Sequence, residues 1–157
     1  YTIGRDAAVL IDTTVRPHLN VPNLPRVGLA MAMPGGFEQF RWHGRGPQEN
    51  YWDRKTGTPV GLYQAAVDGM YTPYVWPQEY GNRTDVRWAS LTNAAGAGLL
   101  AVAAEVLEVS VHHHTLANLT AAEHTIDLLR VPEAHLYLDV HQHGLGGESC
   151  GPTTLEK

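Results

Sequence analysis

Apolar and polar residues alternate along most of this chain, which is the pattern of β-strands that bury one face. The alternation is loose at 26–33 and continues at 37–43, and the Gly35–Gly36 pair between these segments predicts a hairpin turn. It also places Val86 and Trp88 on one face of another strand. The remaining predicted strands are 8–19, 84–91, 98–106, 107–114 and 135–143.

One segment has the spacing of a helix. Residues 116–129 bring Leu119 and Ile126 near one face, with Thr115 suited to cap the amino end and a proline, Pro132, following the segment. Strands separated by Gly- and Pro-rich turns, with one short helix, predict an all-β fold. The expected architecture is an antiparallel β-sandwich.

Composition narrows the classes of function. The chain has 157 residues, enough for one domain with its own core. Its formal net charge is −5 and it has no run of Lys or Arg, which argues against nucleic acid or an anionic membrane as a partner. No segment reaches the roughly 18 apolar residues that a membrane span needs. The single cysteine, Cys150, excludes an intrachain disulfide and favours a reducing, cytoplasmic location.

Two dense motifs combine Gly, Pro, aromatic rings and charges in a way that predicts shaped loops. They are GRGPQENYWDR (Gly44–Arg54) and MYTPYVWPQEYGNRTDVRW (Met70–Trp88). Together with LPRVGL (Leu24–Leu29) upstream, their order resembles the C-terminal β-sandwich domain, the small-chain type of domain 5, of glycoside hydrolase family 2 β-galactosidases. The resemblance covers essentially the whole chain.

The resemblance implies a galactose mutarotase-like supersandwich with more strands than this chain can supply. Residues 1–157 are therefore expected to form a single, incomplete C-terminal domain, with strands of the same domain before Tyr1 and after Lys157. In that family the catalytic acid and nucleophile lie in a separate barrel domain. The chain is thus expected to be a non-catalytic, barrel-buttressing part of an enzyme that hydrolyses terminal β-D-galactosides such as lactose.

The resemblance also implies partners and cofactors. The expected partners are the remaining β-galactosidase domains, the galactoside substrate and further copies of the parent in a homo-oligomer. Magnesium and sodium are expected for the parent enzyme, mainly in its other domains. One sodium site is implied here through backbone carbonyls, at Trp76, Pro77, Leu119 and Thr120.

A Gly-rich loop, GLGGESCGP, follows the last predicted strand. The resemblance implies that this loop reaches the rim of the barrel's active site, where many members carry a Trp that stacks on sugar. Cys150 takes that position here and offers little stacking surface. The implied rim residues are Gly146, Gly147, Glu148, Ser149, Cys150 and Gly151.

The motif carboxylates have two interpretations. Glu49 and Asp53 can order their loop by accepting from backbone N–H groups or by pairing with Arg45 and Arg54. Alternatively they form a carboxylate pair for glycoside hydrolysis, which needs a separation of roughly 5–9.5 Å.

Aromatic residues in the second motif are also ambiguous. They could pack over the edge of the sandwich, stack on sugar rings or form a subunit contact. The residues concerned are Tyr71, Tyr74, Trp76 and Tyr80.

The chain has nine histidines, and four of them form two His-x-His pairs, His112 with His114 and His141 with His143. The members of each pair share a face of a strand, so they could bind zinc, nickel or copper. The alternative is a set of solvent-facing or hydrogen-bonded histidines at strand ends.

Two other classes of function stay open at this level. A mutarotase-like aldose epimerase would use one carboxylate base and one histidine acid, drawn from His43, Glu49 and His114. A stand-alone carbohydrate-binding module would use Trp76 and Tyr80.

Overall fold

The computed structural model describes residues 2–16, 24 and 26–142. This part of the chain forms a six-stranded and a two-stranded antiparallel sheet, which confirms the predicted all-β, sandwich-like class with one short helix. The strands are β1 (Thr2–Ile3), β2 (Val9–Leu10), β3 (Arg26–Met33), β4 (Gln39–Arg45), β5 (Val60–Ala66), β6 (Arg83–Thr92), β7 (Gly98–His112) and β8 (Ala134–Gln142). Helix α1 is Leu116–Ala121, and 3₁₀ turns span Val67–Met70 and Thr125–Asp127.

The large sheet has the strand order β3-β8-β7-β6-β4-β5. The predicted hairpin at Gly35–Gly36 is therefore wrong, because β3 pairs with β8 while β4 pairs with β5 and β6. Gly36 does adopt a positive φ of 97°. A two-glycine turn permits a hairpin but does not compel one, and eight residues of β3 find their partners at the other end of the chain.

One face of the large sheet forms the core. The registers align apolar residues across neighbouring strands, for example Phe40 with Leu91 and Val111 with Leu136. This alignment buries apolar surface that the alternation along each strand presents on a single side. The buried cluster comprises Phe40, Trp42, Val67, Met70, Val86, Ala89, Leu91, Val109, Val111, Ala134, Leu136 and Leu138.

The alternation of β6 is interrupted near its start. Val86 is fully buried in the core together with Ala89, whereas Trp88 lies outside this cluster. The register with β7 shifts on both sides of Val86, and Asp85 has a positive φ of 53°. Since a one-residue irregularity moves the following side chains to the other face, the prediction that Val86 and Trp88 share a face is wrong.

Other predicted boundaries need correction. The segments predicted as two strands at 98–106 and 107–114 form one continuous strand, β7. The strand predicted at 8–19 is described as far as residue 16, and within 8–16 only Val9–Leu10 pairs, with β1, while residues 11–16 are not in a strand. No glycine, proline or asparagine lies within 99–112 to divide the strand, although the pairing of β7 with β6 shifts between Val102 and Leu107.

Helix α1 is shorter than predicted. The Thr115 cap is confirmed, because its side chain accepts a hydrogen bond of 3.1 Å from the N–H of Asn118. The helix ends at Ala121 rather than near 129, since the N–H groups of Glu123 and His124 donate to the Asp127 carboxylate instead of continuing the helix. In the described part of the chain, no helix is long and apolar enough to cross a membrane.

A bulge in β8 places the polar residues described below. Val27 pairs with His141 and Gly28 pairs with Asp139, so Val140 is an extra residue on β8. A Cβ atom at Gly28 would lie 2.1 Å from Asp139 Oδ1 and 2.5 Å from the carbonyl oxygen of Leu138. Glycine is required at this position because the Asp139 carboxylate lies directly over its backbone.

Substituting Gly28→Ala is expected to lower the free energy of unfolding by ~1–3 kcal/mol, because strand backbone must move to admit the methyl group. Gly57→Ala is the matched control, since a Cβ there meets no atom within 4 Å. Urea unfolding of both variants checks this. Equal free energies of unfolding for the two variants would show that the Asp139 side chain can move away from residue 28 without cost.

Candidate functional site

A buried polar cluster lies on the face of the large sheet opposite the core. Ser110 and Asp139 project from β7 and β8, and Arg26 and Gln142 form a cross-strand pair between β3 and β8. Glu79 comes from residues 71–82, here called the covering segment, which connects the first 3₁₀ turn to β6. We refer to Arg26, Glu79, Ser110, Asp139 and Gln142 as the polar cluster.

The Arg26 guanidinium is the centre of the polar cluster. Its Nε lies 2.9 Å from Asp139 Oδ1 and its Nη2 lies 2.6 Å from Asp139 Oδ2, which is a forked arrangement. Its Nη1 donates to Glu79 Oε1 at 2.6 Å. The guanidinium also lies over the Tyr137 ring, 4.3 Å from the ring centroid. The Arg26 guanidinium thus binds two carboxylates and packs against one aromatic ring.

Burial governs the protonation of these carboxylates. Asp139 is only 1% exposed, and burial raises its pKa while Arg26 acts in the opposite direction. Burial likewise raises the pKa of Glu79, against the attraction of Arg26. The second oxygen of Glu79 accepts a 2.6 Å hydrogen bond from Gln142 Nε2. The polar cluster therefore contains two carboxylates, Asp139 and Glu79, but one guanidinium. The neutral amide of Gln142 supplies the remaining hydrogen-bond donor.

A further, half-buried carboxylate lies beside the polar cluster. Glu108 is the cross-strand neighbour of Asp139 and accepts a 2.8 Å hydrogen bond from Asn82 Nδ2. Burial raises the pKa of Glu108 to about 7, and the nearby charge of Asp139 adds to this shift while Asn82 opposes it. Asn82 also donates to the Asn50 carbonyl at 3.1 Å, so it ties Glu108 to the first motif.

Glu49 ties the two motifs together. It accepts 2.8 Å hydrogen bonds from Arg54 Nη2 and from the N–H of Gly81, and a further bond from the Tyr74 hydroxyl. Burial alone would raise the pKa of Glu49, but these bonds lower it. The predicted pairing of Glu49 with Arg54 is confirmed. A general acid needs a raised pKa, so Glu49 lacks the property of the acid in a glycosidase carboxylate pair.

The other predicted motif pairings differ. Arg45 binds Asp85, with Nε 2.5 Å from Oδ2, and Lys55 Nζ donates to the same carboxylate at 2.9 Å. Asp53 is exposed. Asn50, which sequence reasoning did not single out, is fully buried and its Oδ1 accepts from the N–H and the hydroxyl of Thr84. The first motif is thus ordered through Glu49 and Asn50 rather than through Asp53.

The motif aromatics divide into buried and exposed rings. Tyr80 is 3% exposed, stacks near His112 with ring centroids 5.0 Å apart and shares a 2.7 Å hydrogen bond with His114 Nδ1. Tyr71 meets Tyr80 edge-on. Packing is thereby confirmed for Tyr80, whose ring is inaccessible to a sugar. Trp76 is 64% exposed.

The histidines at the end of β7 are hydrogen-bonded and buried. His112 Nδ1 donates to the carbonyl of His114 at 2.7 Å, and burial lowers the pKa of His112 to about 3. His113 contacts the Glu133 carbonyl through Nδ1 and Glu38 through Nε2. Within residues 2–16, 24 and 26–142, no group of three His, Cys, Asp or Glu side chains is arranged to hold a metal ion.

The implied rim residues Gly146, Gly147, Glu148, Ser149, Cys150 and Gly151 lie outside the described residues, as does His143 of the second His-x-His pair. The polar cluster was not predicted as a site. Its one sequence signal was Asp139, a charged residue within the apolar run of β8.

The implied sodium residues fall on two elements. Trp76 and Pro77 belong to the covering segment, with Pro77 buried, and Leu119 and Thr120 are near the carboxyl end of α1. The last carbonyls of a helix have no partner within it. The N–H groups that would cap them in a longer helix donate to Asp127 instead. Carbonyl oxygens are suitable ligands for a hard cation, so this donor set fits sodium.

Glu108→Gln is expected to change how stability depends on pH. The pKa of Glu108 rises from 4.5 to about 7 on folding, so its contribution is fully present below pH 4.5 and is lost as the pH rises through about 7. Glutamine keeps the Asn82 bond without this loss. The variant should therefore match the wild type near pH 4.5 and exceed it at pH 8 by on the order of 1–3 kcal/mol, allowing for partial screening by solvent.

Urea unfolding at a series of pH values between 4.5 and 8 measures this difference. Glu105→Gln, an exposed glutamate on the same strand, is the matched control and should show no such trend. Parallel pH profiles for Glu108→Gln and the wild type would show that Glu108 is ionised without cost in the folded chain.

Comparison with known proteins identifies the family of this chain. The sequence profile described as "Beta galactosidase small chain" matches residues 1–157. A β-galactosidase of Priestia megaterium is 36% identical over 148 residues, which cover 94% of this chain and 14% of that protein. One from Vibrio cholerae has the same identity and coverage, and one from Vibrio vulnificus is 32% identical over 100% of this chain and 15% of its own length.

The chain therefore spans 14–15% of the length of these curated relatives. The profile match extends over all 157 residues, and the described part of the chain has the all-β fold expected from the motif order. This chain belongs to the β-galactosidase small-chain family.

Proposed function

We propose that this chain is a non-catalytic domain of a β-galactosidase that hydrolyses terminal non-reducing β-D-galactosides such as lactose. The observation that carries the proposal is the set of hydrogen bonds that the Glu49 carboxylate accepts. Glu49 is the buried carboxylate of the first motif, and its bonds link that motif to Tyr74 and Gly81 of the covering segment. A carboxylate that accepts from three donors is suited to hold two loops together. Its lowered pKa also makes it a weak base for mutarotation.

The outer face of the large sheet supports a role as one part of a larger, mutarotase-like sandwich. Leu62, Leu100 and Val102 are between 61% and 71% exposed. Across the sheet, Trp88 is the register neighbour of Val102. Contiguous apolar surface of this kind is characteristic of an interface. In the proposal, this face and the outer edges of β3 and β5 pack on the rest of the same domain and on the barrel.

The loop after β8 supplies the proposed contact with substrate. In this proposal, residues 146–151 extend from β8 to the rim of the barrel's active site, with Cys150 at the position of the stacking aromatic. A thiol offers little ring-sized surface, so this enzyme would bind sugar at the rim more weakly than one with a tryptophan.

Cofactors and assembly follow the same proposal. Magnesium belongs to the other domains of the parent, and sodium is held here by the carbonyls of Trp76, Pro77, Leu119 and Thr120. A sodium ion held by these carbonyls would supply a fixed positive charge beside their oxygens. The parent is a homo-oligomer, and the single cysteine is consistent with a cytoplasmic enzyme.

The proposal is tested by assaying the 157-residue chain beside the β-galactosidase that contains it. The chain alone should turn over no chromogenic galactoside and should not accelerate aldose mutarotation, whereas the whole enzyme hydrolyses the galactoside. Turnover by the chain alone that disappears in Glu49→Gln would overturn the non-catalytic assignment. Binding of free galactose by the isolated chain would instead favour a carbohydrate-binding module.

Within the whole enzyme, Cys150→Trp should strengthen binding at the rim more than it changes the chemistry. An added ring contributes ~0.5–1.5 kcal/mol of stacking, which corresponds to a fall of about 2- to 10-fold in KM for lactose and in Ki for galactose. Cys150→Ser, which preserves size without adding a ring, is the control. A large loss of kcat with unchanged KM and Ki would contradict the placement of Cys150 at the rim.

A further inference from the structure

We propose that the outer face of the large sheet binds an acidic, otherwise apolar segment of the parent enzyme, and that a carboxylate of this segment pairs with Arg41. The segment lies outside residues 1–157. The proposal rests on the function proposed above, in which this face packs on the rest of the parent. It adds the chemistry of the segment that packs there.

The surface concerned, here called the docking face, consists of side chains of β5, β4, β6 and β7 that point away from the core. Phe40 and Trp42 are core residues, so Arg41 and His43, which alternate with them along β4, point the other way. Cross-strand pairing arranges the docking face in three rows. The rows are Leu62–His43–Trp88–Val102, Gln64–Arg41–Ser90–Leu100 and Ala66–Gln39–Thr92–Gly98.

The docking face has apolar and cationic side chains but no carboxylate. The chain has 16 Asp and Glu residues and a formal net charge of −5, yet none of the three rows contains an acidic residue. Arg41 lies in the middle row and is exposed. Within residues 2–16, 24 and 26–142, its side chain forms no hydrogen bond or ion pair. Such a face is electrostatically complementary to an acidic partner.

The apolar residues of the docking face indicate that it is covered in the parent enzyme. Leu62 is 70% exposed on one side of β4, and Leu100 and Val102 are 61% and 71% exposed on the other side. The edge strand β5 contains no charged residue and no proline, and its pairing with β4 has no irregularity. Edge strands that face solvent commonly carry such protection, so this edge is suited to a partner. The relatives are long enough to supply one, since this chain spans 14–15% of their length.

Covering these apolar residues also buries Arg41. On the adjacent strands Arg41 is diagonal to Leu62 and Trp88, which is within reach of a long side chain. A guanidinium that is taken out of water is costly unless it is paired and hydrogen-bonded. Its cross-strand neighbours, Gln64 and Ser90, offer only neutral oxygens. The partner must therefore supply the carboxylate, and the fork of the guanidinium can bind both of its oxygens.

The first test uses the wild-type β-galactosidase that contains this chain. Phenylglyoxal modifies accessible arginine side chains, and mass spectrometry follows the reaction at single residues. Arg130 is the matched comparison, since it is exposed and already paired with Asp68. Arg41 should react about 10-fold more slowly than Arg130, because the centre of a packed interface excludes water. Equal rates would show that Arg41 faces solvent in the whole enzyme, and the proposal would be wrong.

The second test identifies the partner in the same enzyme. Arg41→Lys keeps the positive charge and supplies an amine. A water-soluble carbodiimide joins this amine to a carboxylate in direct contact: an amide bond forms, one carboxylate oxygen leaves with the carbodiimide as a urea, and the amine loses a proton. Peptide mapping by mass spectrometry should find the bond to an Asp or Glu of the same polypeptide outside residues 1–157. Arg130→Lys is the positive control and should couple to Asp68.

The outcomes separate this inference from the proposed function. If the whole enzyme hydrolyses a galactoside and Arg41→Lys couples to no carboxylate while Arg130→Lys couples to Asp68, the proposed function stands and the acidic partner is wrong. Coupling to a second copy of the enzyme, or to a residue within 1–157, would also contradict the proposal. If the chain alone hydrolyses the galactoside, the proposed function fails and this inference fails with it.

Discussion

The arrangement of the polar cluster depends on the guanidinium of Arg26. Asp139 is almost completely buried, Glu79 is largely so, and a carboxylate can be ionised in such a place only if it is paired and hydrogen-bonded. Arg26 supplies both conditions at once through its planar fork. It reaches Asp139 because Gly28 carries no side chain, and it reaches Glu79 because the covering segment lies over the sheet at this point. The contact therefore links an edge strand, the bulged strand and a motif loop.

A second buried arginine, Arg83, is stabilised without a carboxylate partner among the described residues. Arg83 is 4% exposed on the core side of β6, where its guanidinium lies 5.1 Å from the centroid of the Trp42 ring. It donates to the carbonyls of Gly81 and Asn82, and burial lowers its pKa to about 10. No salt bridge to Arg83 occurs within the described residues. Two arginines thus hold the covering segment. Arg83, on the core side of the sheet, binds its carboxyl end, and Arg26, on the opposite side, binds it through Glu79.

The sequence predicted what depends on neighbours along the chain. The alternation of β3 was visible because its apolar residues recur at every second position, and the Thr115 cap was visible because its partner is three residues away. The bulge at Val140 and the irregularity at Asp85 were not visible, since each arises from pairing with another strand. The ion pair between Arg26 and Asp139 joins residues 113 positions apart. Asp139 could be noticed as a charge among apolar neighbours, but its partner could not be named.

The pKa values of Glu108 and Glu49 are shifted in opposite directions by their surroundings in this domain. Glu108, with its pKa raised to about 7, has the property expected of a general acid, whereas Glu49 in the first motif has the opposite shift. Yet the shift of Glu108 comes first from burial within a sheet, and its carboxylate is bound by the amide of Asn82, which also contacts Asn50. Its bond to Asn82 joins Glu108 to the contacts that hold the first motif in place. The dense motifs of this family member therefore connect one part of the domain to another, which is the supporting role that the proposed function assigns to them.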